Sequence, residues 1–187
     1  MNESILIDFN LLAENVISAA KSYSIKLKDL PEVHLKLDIR NHSYFKTIFT
    51  ELDQKKKHCL YWFEFDTNES STTINNLLNE SRISLSERMR VVPVKNLNSE
   101  SNVLYVGIRR GGNRKYDNLS NISGRLIQHL GYYHVGSTQG LQFAYWANKS
   151  DIELNFKVVE FENLPNLYLE MLEKLIAYKL KPLCGKH

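Results

Sequence analysis

The chain has 187 residues, 43% of them hydrophobic and 24% charged, with a formal net charge of +3. That is enough for one ordinary domain with its own core, and no apolar run approaches the roughly 20 residues that span a bilayer. The mild positive charge permits an anionic partner without demanding one.

Two lone cysteines, Cys59 and Cys184, form no CxxC or Cys/His cluster. This argues against a zinc site and points to a reducing compartment. The opening MNESILIDFN carries acids and no basic lead-in, so it does not read as a secretory signal, and the chain reads as cytoplasmic.

Taken in order, residues 8–21 predict a helix. Leu11, Leu12, Val16, Ala19 and Ala20 recur at helical spacing, with Asp8 or Asn10 as the cap. Residues 22–42 give mixed signals, in which Pro31 and the alternating Val33, Leu35, Leu37 and Ile39 allow one short strand. Residues 43–57 predict a second helix striped by Tyr44, Phe45, Ile48, Phe49 and Leu52. It closes on Lys55, Lys56 and Lys57, read as a solvated helix end rather than a phosphate contact. Residues 59–65, C-L-Y-W-F-E-F, have the aromatic density of a strand. A short helix over 73–79 turns Ile74, Leu77 and Leu78 inward, and Pro93 in V-V-P-V marks an edge strand or loop. The stretch 67–101 reads as an insertion between two strands.

Residues 103–107, V-L-Y-V-G, predict a buried strand that runs into a basic, glycine-loosened loop. That loop carries Arg109, Arg110, Arg114 and Lys115. A helix over 119–131 buries Leu119, Ile122, Leu126, Ile127 and Leu130 and stops at Gly131. Arg125 and His129, four residues apart, leave it on one side. A further helix is expected from 137 or 138 to 147. Leu154, Phe156 and Val158 alternate with polar neighbours as in a half-buried strand, and Pro165 and Asn166 open a last helix to about residue 180, closed by Pro182. Tyr132, Tyr133 and His134 could stack on bases, but core and turn packing is the better account of them. The class that emerges is α/β (α+β): a small, mostly antiparallel sheet flanked by helices over 59–187, preceded by a helical N-terminal extension over 1–58.

The last helix contains an anomaly. At about 100° per residue, Leu169, Leu172, Ile176 and Leu180 share one face, and Glu173 falls among them. A carboxylate there needs a partner, a metal or a proton, because burying it bare is costly. An ordinary ion pair with a structural Arg or Lys would satisfy it as well. Glu170 lies nearer the edge of the stripe. Arg125 and His129 likewise border the apolar face of their own helix.

Together these residues resemble the GIY-YIG nuclease family, in its restriction-enzyme-like branch. Cys59-Leu60-Tyr61 stands where the family has its first motif, and Tyr105-Val106-Gly107 where it has the second. Arg125 and His129, in G-R-L-I-Q-H-L, stand for the helix arginine and its histidine. Glu173, nine residues before Pro182, stands for the metal-binding glutamate. The first motif lacks its glycine and isoleucine, the two tyrosines are 44 positions apart, and Gly185 replaces the asparagine of the family's tail.

The resemblance implies a metal-dependent endonuclease acting on double-stranded DNA. Tyr61 would be the general base, with His129 relaying or accepting its proton. Arg125 would offer its fork to the scissile phosphate, Tyr105 would orient water or phosphate, and Glu173 would hold Mg²⁺ or Mn²⁺. Arg109, Arg110, Arg114 and Lys115 would bind backbone phosphates. Cutting both strands with one site per chain would favour a homodimer. A nucleic-acid-binding module that kept the fold and lost the chemistry, or an interaction domain with no nucleic-acid partner, are the competing readings.

Overall fold

The computed structural model describes residues 3–34, 37–111, 121–133 and 138–186. Five helices and a four-stranded sheet make a mixed α/β fold. The sheet contains β1 (Lys21–Lys26), β2 (His58–Glu64), β4 (Val103–Arg109) and β6 (Glu153–Phe161) in the order β1-β6-β2-β4, every pairing antiparallel. The helices are α1 (Glu3–Ser18), α2 (Lys46–Leu52), α3 (Asn68–Glu87), α4 (Ile122–Leu130) and α5 (Asn166–Leu180). Two-residue strands β3 (Arg90–Val91) and β5 (Thr138–Gln139) pair in parallel apart from the main sheet.

Alternation along β2 decides which layer goes where. Leu60 and Trp62 point to one face, where they meet Ala13 and Val16 of α1 and Leu172 and Ile176 of α5. Tyr61 and Phe63 point to the other face, toward Phe49 of α2 and Leu126 and Leu130 of α4. The extra residue Leu104 in β4 forms a bulge, since Phe63 faces Tyr105 but Glu64 faces Val103.

Several elements differ from the sequence-based expectation. The N-terminal segment adds a strand to its helices: β1 turns Tyr23 and Ile25 inward and pairs with β6. It shows only two apolar residues and carries lysine at both ends, as edge strands do. The alternation at 33–39 makes no strand among the described residues, where turns close from Asp38 to Asn41 and from Ile39 to His42. The second helix covers only Lys46–Leu52. The short helix expected at 73–79 is the middle of the 20-residue α3. Its run of Ser, Thr and Asn has low helix propensity, but Thr67 caps it by accepting from the Ser70 N–H at 3.1 Å, and Ile74, Leu78 and Leu85 are buried. The helix expected over 137–147 is instead β5 and one 3₁₀ turn at Phe143–Tyr145. Gly140 lies so close to the Gln128 carbonyl that a Cβ would sit 2.5 Å from its oxygen.

The C-terminal tail locks the sheet edge. Leu183 and Cys184 donate their N–H groups to Val103 and Leu104, while Gly185 donates to Val94. Gly185 has φ 133°, a conformation open to glycine and strained for other residues. Tyr132 is buried and donates to the Pro31 carbonyl at 2.8 Å, which is packing rather than base stacking. Lys55 pairs with Glu160 at 3.5 Å, so part of the lysine run is tied to β6. No helix of the described residues is long and apolar enough to cross a membrane.

Candidate active site at the β4 edge

Four of the five residues singled out for chemistry form one hydrogen-bonded cluster. Tyr61 faces Gly107 directly across the β2–β4 ladder, and its ring lies over that glycine. A Cβ at 107 would come within 2.8 Å of the Tyr61 hydroxyl and 2.7 Å of the Tyr105 ring, which explains the glycine after Tyr105-Val106. Helix α4 supplies the other two residues. Asn121 caps it by accepting the Gly124 N–H at 3.2 Å. The Asp53 carboxylate, held by Arg40, Ser123 and Asn121, fixes the same end of the helix. Gly131, at φ 100°, closes it.

The His129 ring packs against Tyr105 and Phe63, with centroids 4.9 Å away in both cases. Its Nε2 lies 3.0 Å from the Tyr61 oxygen. Its Nδ1 accepts the backbone N–H of Leu141 at 3.2 Å. Burial and the neighbouring Arg125 charge hold the imidazole well below the usual histidine range, so it is neutral. A neutral ring whose Nδ1 accepts must carry its proton on Nε2, an assignment made from the hydrogen bonds. His129 therefore donates to Tyr61. The expectation from sequence is that His129 relays or accepts the Tyr61 proton; the resting hydrogen bond runs from His129 to Tyr61.

The Tyr61 oxygen has a second donor, the Arg125 Nε–H at 3.2 Å. Arg125 also reaches Gln128 at 2.5 Å, and it is hydrogen-bonded to Tyr105. The guanidinium thus spans both phenols, whose oxygens stabilise its cationic form. The two phenols are themselves hydrogen-bonded. The neighbouring Tyr61 and then burial push the Tyr105 hydroxyl up. The cluster is graded in depth. Tyr61 is 0% exposed and His129 1%, whereas Tyr105 and Arg125 are half-buried and reach the surface.

Glu173 approaches from the other layer. Helix α5 packs against β4, the edge strand of the sheet, and against β2. Glu173 is half-buried and joins no ion pair among the described residues. Burial pushes its carboxyl up, Glu170 adds to the effect, and Arg110, Arg125 and Lys174 oppose it. The charges of Glu173, Arg125 and Tyr105 act on one another, so both layers contribute to the same edge.

Glu170 is held by Arg110, which leaves Glu173 as the carboxylate without a cation of its own. Among the described residues no three His, Cys, Asp or Glu gather into a cage. One open carboxylate is nonetheless what a hard Mg²⁺ ion uses when water and phosphate oxygens complete its shell. The donor set fits such an ion. Of the proposed phosphate contacts, Arg109 lies half-buried at the end of β4 and Arg110 is exposed beside Glu170, while Arg114 and Lys115 lie outside the described residues.

A basic cavity of about 510 Å³, not expected from the sequence, lies further along α5. Lys174, Lys181, Lys186, Tyr178, Asn96 and Asn98 line it, and none of its lining residues is acidic. The Asn96 and Asn98 amides both donate to the Pro182 carbonyl at 3.0 Å and shape its floor. Lys174 follows Glu173 directly and Lys181 comes two turns later, a helical spacing that was available to find them.

No protein-family model, curated protein or solved structure matches this chain. What the site does must be read from its residues.

Proposed function

We propose that this chain is a metal-dependent DNA endonuclease with a GIY-YIG-like site. The observation that carries the reading is the meeting of a tyrosine–arginine–tyrosine–histidine cluster with an unpaired, half-buried carboxylate at one sheet edge. Hydrolysing a phosphodiester requires that water lose a proton and that charge on phosphorus-bound oxygens be stabilised. Arg125 stands at the surface with a fixed fork for phosphate. Glu173 would hold Mg²⁺ or Mn²⁺, which when bound neutralises phosphate charge and acidifies water.

The burial of Tyr61 gives its role as base a particular form. The Tyr61 oxygen is braced by the His129 and Arg125 N–H groups, both of which stabilise negative charge there. Tyr105 is the accessible phenol. In this reading Tyr61 acts through Tyr105: with Tyr61 as the phenolate, Tyr105 would pass its proton inward to that oxygen as it takes one from water. Lys174, Lys181 and Lys186 would hold the backbone of the DNA beyond the cut, a contact blind to sequence.

Plasmid incubated with Mg²⁺ or Mn²⁺ tests this. Nicking is expected, with loss on the order of a hundredfold or more for Tyr105→Phe, and loss in Glu173→Ala with unchanged folding. Absence of cleavage with any divalent ion would reject the nuclease. Complete burial of Tyr61 and His129 favours one alternative, a nucleic-acid-binding module that retains the cluster as structure. Salt-sensitive binding without nicking would select it.

A further inference from the structure

Helix α5 ends on an exposed tyrosine set between lysines. Lys174, Tyr178 and Lys181 follow one another at intervals of four and three residues, so they share one side of the helix. Tyr178 exposes 81% of its surface, although its ring is the kind of group that folding ordinarily covers. With both lysines and Lys186 it lines the basic cavity of about 510 Å³. None of the three lysines joins an ion pair among the described residues.

A second cavity, of about 490 Å³, adjoins the first, and Asn96 and Asn98 line both. Each of these amides donates to the Pro182 carbonyl, which leaves its Oδ1 as an acceptor. Asn75 and Asn76 of α3, with Thr72 and Ser99, add further amides and hydroxyls to the second cavity. Lys95 adds a cation there, and no carboxylate lines it. Asn75 is 7% exposed, and its Oδ1 has no hydrogen-bond partner among the described residues. A buried acceptor in that position costs free energy until a donor reaches it.

We infer that the two cavities together bind one unpaired nucleotide, its phosphate on Lys174, Lys181 and Lys186, its base stacked on Tyr178 with the base edge toward the asparagines. Each cavity falls within the roughly 300–1,000 Å³ of small-molecule sites. Their lining of amides, hydroxyls and ammonium groups excludes an apolar ligand and, having no acid, calls for an anion. A bare phosphate would use the lysines and leave the ring and the amides idle. A base uses all three: every base has a face that stacks on an aromatic ring, and asparagine pairs with base edges. In a duplex that face is covered by its neighbours, so the nucleotide held here is unpaired. The inference rests on the nucleic-acid side of the proposed function and requires no cleavage.

Calorimetric titration of the full chain at low salt, without divalent ions, tests it. The probes are inorganic phosphate, AMP, an oligodeoxyadenylate, its duplex with oligothymidylate, and a polyglutamate peptide. AMP should bind at least tenfold more tightly than phosphate. Tyr178→Ala changes an exposed position, so it should fold with unchanged circular dichroism and lose about tenfold in AMP affinity, while Tyr178→Trp keeps it. An oligodeoxyadenylate that binds much more tightly than AMP assigns the nucleotide to a strand, and equal affinity assigns it to a free nucleotide. Phosphate binding as tight as that of AMP overturns the inference, as does no binding of AMP or the single strand. Duplex binding equal to single-strand binding and indifferent to Tyr178→Ala also overturns it. Polyglutamate that binds as tightly as the single strand would overturn it in favour of an acidic peptide. A chain that binds as expected and never nicks plasmid keeps this inference and rejects the nuclease; one that nicks plasmid but ignores the Tyr178 substitution does the reverse.

Discussion

Leu60 and Trp62 on one face of β2, and Tyr61 and Phe63 on the other, are buried to the same degree. Their surroundings differ in kind. The first pair packs on hydrocarbon from α1 and α5, with the Trp62 Nε1–H donating to Glu64 at 2.9 Å, and its main contribution is area removed from water. Tyr61 meets donors instead: the His129 and Arg125 N–H groups and the Tyr105 hydroxyl close around one phenol oxygen. Burial alone therefore does not separate core from site in this molecule. The distinction is whether the buried atom is polar, and whether its partners lead outward to half-buried groups near the surface, as Tyr105 and Arg125 do here.

Substitutions on the two faces should separate stability from activity. Trp62→Ala should cost the most stability, about 3–5 kcal/mol by denaturant unfolding, with any surviving folded protein as active as the wild type. Tyr61→Phe removes an acceptor from three donors, of which His129 is fully buried and Arg125 and Tyr105 half-buried. It should cost less, about 1–3 kcal/mol, and abolish cleavage. Equal loss of activity in both variants would erase the contrast between the faces.

Gly107→Ala tests the contact that joins the two tyrosines. Its Cβ would meet the Tyr61 hydroxyl at 2.8 Å, so one ring must shift. About 1–3 kcal/mol of overpacking is expected, with a larger proportional fall in activity than in stability. A fully active alanine variant would show that the close packing is incidental.

The pH dependence of stability probes His129. Its folded-state value lies below the ordinary 6.5 because of burial and then Arg125. Above pH 6.5 both folded and unfolded states hold it neutral. Below that, the unfolded chain takes up a proton that the folded chain refuses, so stability falls as pH falls, by about 1.4 kcal/mol per unit. Thermal unfolding between about pH 5 and 7 should lose this component of the slope in His129→Asn. An unchanged slope would mean that the ring is accessible to protons. The smallest effect is expected from Lys174, Lys181 and Lys186. Replacing all three with alanine should lower the salt slope of DNA binding by roughly 0.9 per lost phosphate contact, leaving folding unchanged.

Much of this was legible beforehand because it is local. The strands around Tyr61 and Tyr105, the α4 stripe with Arg125 and His129, and Glu173 among the leucines of α5 follow from periods of two and 3.6. Element ends and irregular segments were less legible. Strand β1 has too few apolar residues to announce itself, and its pairing with β6 joins positions more than a hundred residues apart. Helix α3 runs against the propensity of its residues and is held by its cap and its packing. The stretch near Gly140 has helical spacing but passes too close to α4 for a helix to form.

By itself the sequence determined the sheet-and-helix class and nominated the five side chains, since side-chain periodicity follows from backbone geometry alone. Only the tertiary structure decided their depth and direction. Tyr61 is fully buried and Tyr105 half-buried, and the His129 Nε2 hydrogen-bonds the Tyr61 oxygen while its Nδ1 accepts from Leu141. Those properties depend on which backbone N–H faces Nδ1 and which layer covers each ring, and both are set by contacts between segments far apart in the chain.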